Sequence, residues 1–191
     1  MSYLIMTVGK THSGKTTFGK KLAQKIKNNI LIDNDQIAEF LKENYENLYS
    51  PDFLKDSIKW SSGAYLKQSL VKTIFRFALK TNLFIISTGA NSTKRLRKSL
   101  VTLARKNNRK VIIISFNLSE KVLLSRINKS KRSKKCLCHS KDFRDLLLNK
   151  QSIKFESANK SESDYYFEIN KVANVNEVLD KVLKIVKRKT N

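Results

Sequence analysis

Five short apolar runs rich in β-branched residues punctuate the chain: Tyr3 to Val8, Ile30 to Ile32, Leu83 to Ile86, Val111 to Phe116 and Tyr165 to Ile169. Runs of this length, bounded by polar or turn-forming residues, predict buried strands. Between them the apolar positions take a helical spacing. A helix starting near Lys15 puts Phe18, Leu22, Ala23 and Ile26 on one face and stops at Asn28-Asn29. Gln36 to Glu43 reads as a short helix. Ser50-Pro51-Asp52 combines a capping serine, a proline at the first helical position and an early acid, so a long helix, or a pair broken near Ser61-Ser62-Gly63, should run to Leu79. Thr93 to Lys106 aligns Leu96, Leu100 and Leu103, Ser119 caps Glu120 to Ile127, and Val175 to Val186 closes the chain as an amphipathic helix. Strands alternating with helices predict an α/β fold around a mostly parallel five-stranded sheet.

One stretch breaks the alternation. Asn128 to Lys141, "NKSKRSKKCLCHSK", is basic and nearly devoid of apolar residues, which predicts a surface loop. At 191 residues, with no Pro/Gly/Ser-rich linker, the chain is expected to fold as one domain over residues 1–191. No apolar run approaches the ~20 residues of a membrane span, and the first residues lack the features of a signal peptide. A cytoplasmic protein with no membrane partner is the expectation.

Charge changes the picture. Thirty-nine basic against 16 acidic residues give a net +23, densest in Lys94 to Lys110, Lys129 to Lys141 and Lys184 to Lys189. Such an excess attracts phosphate-rich partners. Lysine is also abundant throughout, so charge alone does not separate a nucleic-acid face from a solvated surface. Cys136, Cys138 and His139 form "CLCH"; two thiols one residue apart make a poor structural disulfide, and a tetrahedral metal site needs a fourth ligand from elsewhere, with only His12 left as a histidine, so ordinary loop cysteines are favoured over a zinc site.

The strongest chemical signal follows the first apolar run. Gly9, Lys10, Thr11, His12, Ser13, Gly14, Lys15 and Thr16 spell G-x-x-x-x-G-K-T, with Thr17 behind them. Backbone N–H groups converging on phosphate need glycines where side chains would block the approach, and the helix from Lys15 adds its positive end. Lys15 can reach the β- and γ-phosphates, and Thr16 can present its hydroxyl to Mg²⁺. The His12 ring is assigned no chemistry, only its backbone.

Absences narrow the class. A GTPase needs an N-K-x-D base reader, and "NKSK" at Asn128 to Lys131 lacks the Asp. A motor or AAA-type ATPase carries an apolar strand ending in Asp, often followed by Glu, whereas "LFIIST" and "VIIISF" end otherwise. Only "ILIDND", Ile30 to Asp35, ends on carboxylates, at the strand end where open α/β sheets place ligands. In an extended stretch Asp33 and Asp35 point to one side, so one can face an acceptor hydroxyl and the other the metal; Asp33 can equally cap the following helix.

With these residues in place the chain resembles P-loop kinases of the polynucleotide 5′-hydroxyl kinase and zeta-toxin-like group, within the AAA-type ATP-binding domain proteins. The matching segments are "GKTHSGKTTF", "ILIDNDQIAEFL", "FIISTGANSTKRLRKSL" and "LLSRINKSKR", spread over most of residues 1–170. The resemblance implies a three-layer α/β/α nucleotide-kinase-like fold with strand order 2-3-1-4-5, a helical insert at about 51–80 and a lid at about 128–141. It implies Asp35 as general base, with Lys15, Arg126 and Arg132 on the transferring phosphoryl group, Thr16 and Asp33 at Mg²⁺, and Arg95 and Arg97 at the phosphate of a DNA or RNA acceptor. It sets Phe155, or backbone near it, beside the adenine. Many relatives end the third strand with an Asp, where this chain has Thr88. The reaction expected is transfer of the γ-phosphoryl of ATP to a hydroxyl, with a nucleic-acid 5′-hydroxyl as first choice of acceptor. A small-molecule kinase, roofed by Trp60, Tyr65 and Phe75, and a non-catalytic ATP-dependent switch are the alternatives.

Overall fold

The computed structural model describes residues 2–45, 62–130, 140 and 142–187, with backbone alone for 62–65. Its strands are β1 (Tyr3–Gly9), β2 (Asn29–Ile32), β3 (Phe84–Ser87), β4 (Lys110–Phe116) and β5 (Tyr165–Ile169). They form one sheet in the order β2-β3-β1-β4-β5, every adjacent pair parallel. Met6 stands opposite both Ser87 and Ile113, so the register aligns the C-terminal strand ends along one edge. Fold class and strand order are those expected from the sequence.

The helices are α1 (Lys15–Lys25), α2 (Asn34–Asn44), α3 (Ser62–Leu79), α4 (Lys94–Lys106) and α5 (Glu120–Lys129). A sixth, α6, begins as a short α turn (Phe143–Asp145), passes through a π segment (Leu146–Gln151) and ends in another α turn (Ser152–Lys154). The last is α7 (Asn174–Lys187). All seven residues of β1 are buried, and their alternation divides the core. Tyr3 and Ile5 join Phe18, Leu22 and Ile26 of α1 and Val178, Leu179, Val182 and Val186 of α7 on one face. Leu4, Met6 and Val8 join Phe75, Ala78 and Leu79 of α3 and Val101 and Ala104 of α4 on the other. Two apolar layers on a sheet buried from both sides make the three-layer sandwich.

Two sequence expectations give way. The buried stripe of α4 is Arg97, Val101 and Ala104, while Leu96 is 56% and Leu103 36% exposed. The leucine row lies one position round the helix from the inner face, where Arg97 is buried with its N–H groups bonded. The helix expected from Gln36 starts at Asn34, so Asp33 and Asp35 do not lie on one extended strand. The Ser50-Pro51-Asp52 start, Trp60, the Tyr65 side chain, Arg132, Cys136, Cys138 and His139 lie outside the described residues.

Arg109 was not singled out by sequence pattern. It is 3% exposed and donates to the carbonyls of Leu83 at 2.5 Å and Ala78 at 2.8 Å, and also to that of Thr81, closing the carbonyl end of α3. Burial lowers its pKa from the ordinary arginine value.

Candidate nucleotide-binding site

Residues 10–14 form a loop between β1 and α1 at the C-terminal edge of the sheet. The loop is narrow because two residues take left-handed backbone, His12 at φ 56° and Gly14 at φ 103°. Gly14 pays little for this conformation, whereas His12 needs its surroundings to hold it. Gly14 caps α1 with no side chain of its own, leaving the first N–H groups of the helix directed at the loop's mouth. Lys15 folds across the loop, Nζ donating to Lys10 O at 2.6 Å and to Ser13 Oγ at 3.2 Å. Thr11 and Ser13 are buried, Thr16 is half-buried and Thr17 is exposed.

Three side chains from two later helices grip this loop. Arg126, in the last turn of α5, donates from one Nη1 to the carbonyls of His12 and Ser13, both at 3.0 Å. Gln151, at the end of the π segment, accepts from Thr11 N at 2.7 Å. The Phe143 ring meets the His12 ring edge-on, with centroids 4.8 Å apart. Arg126 is expected from the sequence at the transferring phosphoryl group; here it bonds the carbonyls of the loop itself. Gln151 and Phe143 were not expected there, since nothing in their local sequence marks a contact made across more than 130 residues.

The carboxylates follow β2. Asp33, 3% exposed, caps α2 by accepting from Asp35 N at 3.0 Å and Gln36 N at 3.4 Å through Oδ1. Its Oδ2 is buried with no hydrogen-bond partner among the described residues. Asp35 is exposed in the first turn of α2, whereas Asp33 precedes that helix as its cap on extended backbone (φ −106°, ψ 107°), so the two do not share one strand face. The segment after β3 joins this corner to the phosphate loop. Gly89 packs so closely on Asn34 that a Cβ there would lie 2.8 Å from Asn34 Nδ2, and Ala90 O accepts from Gly9 N at 3.3 Å. Asn91 Nδ2 donates to Thr7 O at 2.8 Å. Thr88, buried at 3%, donates its backbone N–H to Ile32 O at 3.0 Å.

Of the two arginines expected at an acceptor phosphate, Arg95 is exposed on α4. Arg97 is not available. Its side chain has no solvent exposure, and all five of its N–H groups are spent on Glu162 twice and on the carbonyls of Asn91, Glu156 and Ser157. Phe155 is half-buried and packs against the core layer of α3 and α4. Among the described residues no group of three or more His, Cys, Asp or Glu could hold a metal ion on its own, and no helix is long and apolar enough to cross a membrane.

The family model AAA_33, described as an AAA domain, matches residues 4–151. The chain belongs to this family. No curated protein matches it significantly. Solved structures do. A kinase-like protein of Chloroflexus aurantiacus shares 19% identity, with 96% of this chain and 97% of that one covered at a TM-score of 0.67. A sugar kinase of Janibacter shares 15%, covering 98% and 95% at 0.61. Kti12 of Chaetomium thermophilum, in complex with ADP-AlF3, shares 14%, covering 95% and 97% at 0.62. At these identities the likeness is one of fold. An AAA domain is thus compatible with strands β3 and β4 that lack the terminal acids of a motor ATPase.

Proposed function

We propose that the protein is an ATP-dependent kinase that transfers the γ-phosphoryl group to a hydroxyl of a small molecule. The carrying observation is the shared edge of the sheet. The acid corner after β2 and the phosphate loop after β1 stand on either side of the end of β3, joined through Gly89, Ala90 and Gly9. A donor cradle beside a carboxylate pair is the arrangement that phosphoryl transfer requires.

In this reading the loop amides and Lys15 hold the donor phosphates. Asp35 accepts a hydrogen bond from the acceptor hydroxyl, orients its oxygen in line and takes the proton as the new P–O bond forms and the bond from the γ-phosphorus to the β,γ-bridging oxygen breaks, releasing ADP. Arg126 supports the transferring group, joined by Arg132. The unpartnered, buried Oδ2 of Asp33 fits a hydrated cation, so Thr16 and Asp33 are the residues that would hold Mg²⁺. Bound Mg²⁺ supplies neutralisation of charge on the β- and γ-oxygens.

A small-molecule acceptor is favoured over a nucleic-acid end because burial removes Arg97 from the pair that motivated the latter. The likeness to a sugar kinase supports the same choice. The test supplies Mg²⁺ and labelled ATP with panels of sugars, nucleosides, other metabolite alcohols and 5′-hydroxyl oligonucleotides. Label should appear in a small molecule, and Asp35→Asn should lower turnover by about 10²–10⁴-fold while leaving ATP binding intact. Label in oligonucleotides alone would establish the nucleic-acid reading, and nucleotide binding without transfer would establish a switch.

A further inference from the structure

The loop that holds His12 in left-handed backbone is braced from outside as well as by Lys15. Its apex, Thr11 and His12, is met by α6 at two points: Phe143 near the start of the helix and Gln151 at the end of the π segment. In an ideal α-helix, residues eight apart fall about 80° out of phase. The wider i→i+5 winding of the π segment reduces that offset and turns both side chains toward the same loop. A π segment spends regular hydrogen-bond geometry, and here the return is a contact to Thr11 N, a backbone donor in a residue only 8% exposed. Without Gln151 that donor is left unsatisfied, which a buried N–H tolerates poorly.

We infer that Gln151 is a positioning residue of the nucleotide site. By accepting from Thr11 N it fixes the apex from one side, while Arg126 fixes the His12 and Ser13 carbonyls from the other. The amides from Ser13 to Thr17 are thereby held converged before the ligand arrives, so binding spends less on ordering the loop. Gln151 touches neither the phosphates nor the acceptor in this scheme. It acts through Thr11. The inference rests on the reading of the loop as a nucleotide-phosphate cradle.

The test is the dissociation constant of Mg-ADP for the full chain and three variants, with hydrogen exchange of the Thr11 amide followed alongside. Gln151→Met keeps the length but loses the acceptor, and should weaken Mg-ADP by about tenfold and speed Thr11 exchange by a similar factor. Gln151→Glu keeps an acceptor oxygen and should restore both values to within about threefold of the parent. Asn149→Ala, on an exposed position of the same helix, should change neither. Parent-like affinity in Gln151→Met overturns the inference, as does a Gln151→Glu variant as weak as Gln151→Met or an equal loss in Asn149→Ala. Failure of the parent chain to bind Mg-ADP is a separate result, which overturns the nucleotide reading and this inference with it.

Discussion

Arg97 and Glu162 hold each other through two parallel hydrogen bonds, Nε to Oε2 at 2.6 Å and Nη2 to Oε1 at 3.0 Å, with the arginine side chain wholly buried and the glutamate 8% exposed. Arg97 also donates to Asn91 O, and Asn91 in turn donates to Thr7 O, two residues before Gly9 at the end of β1. An arginine that looks on the sequence like a ligand for an acceptor phosphate therefore ties α4, the segment at 156–162 and the end of β1 into one body.

Removing one partner of a buried ion pair leaves the other charge uncompensated. Arg97→Ala should cost about 3–5 kcal/mol of folding stability. Arg97→Lys should recover little of it, because one ammonium cannot replace five N–H groups in a planar fork. Urea unfolding measures both, and a loss below about 1 kcal/mol for Arg97→Ala would show that the network is not what orders this corner.

The same pair gives a pH dependence. Burial by itself raises the Glu162 pKa. Hydrogen bonds from Arg97 and from the Asn159 backbone, with the charges of Arg97 and Lys94, outweigh it and leave the pKa below the ordinary value of 4.5. Glu162 thus binds a proton less readily folded than unfolded. Its contribution is complete above pH 4.5 and is lost as the pH falls through the native value. Stability of the parent chain should decline in that acidic window more steeply than that of Glu162→Gln, measured by unfolding at stepped pH. Parallel curves would remove Glu162 from the acid response.

How much of this was legible follows from the range of each signal. The strands, the turn between β1 and α1 and the start of α1 are legible because periodicity and the G-x-x-x-x-G-K-T spacing are local. The inner face of α4 was misread because leucines at 96, 100 and 103 imitate a core stripe, and nothing near Arg97 announces a glutamate 65 residues later. Asp33 and Asp35 were given a shared side because the strand was continued too far; helical backbone from Asn34 separates them. Gln151 and Phe143 were missed for the reason that hid Glu162, a contact fixed by tertiary packing alone.

The close approach of α1 to the end of β3 rests on Gly19. A Cβ at Gly19 would lie 2.1 Å from Thr88 Cγ2, against 3.4 Å from Leu31 Cδ1 and 3.6 Å from Ile86 Cγ2. Two effects oppose each other in Gly19→Ala. Helix propensity favours alanine by up to about 1 kcal/mol, while forcing a methyl into filled space costs about 1–3 kcal/mol. Overlap at 2.1 Å with a β-branched residue at a strand end leaves little room for relief, so the clash should win and the variant should be less stable than the parent. Thr88→Ser removes the one atom responsible. In that background Gly19→Ala should be neutral or stabilising, since the remaining neighbours are at ordinary contact. The double-mutant cycle should give a coupling of about 2 kcal/mol. Additive behaviour would mean that something other than Thr88 sets the spacing, and that the residue at the end of β3 is free to vary without moving the helix that carries Lys15 and Thr16.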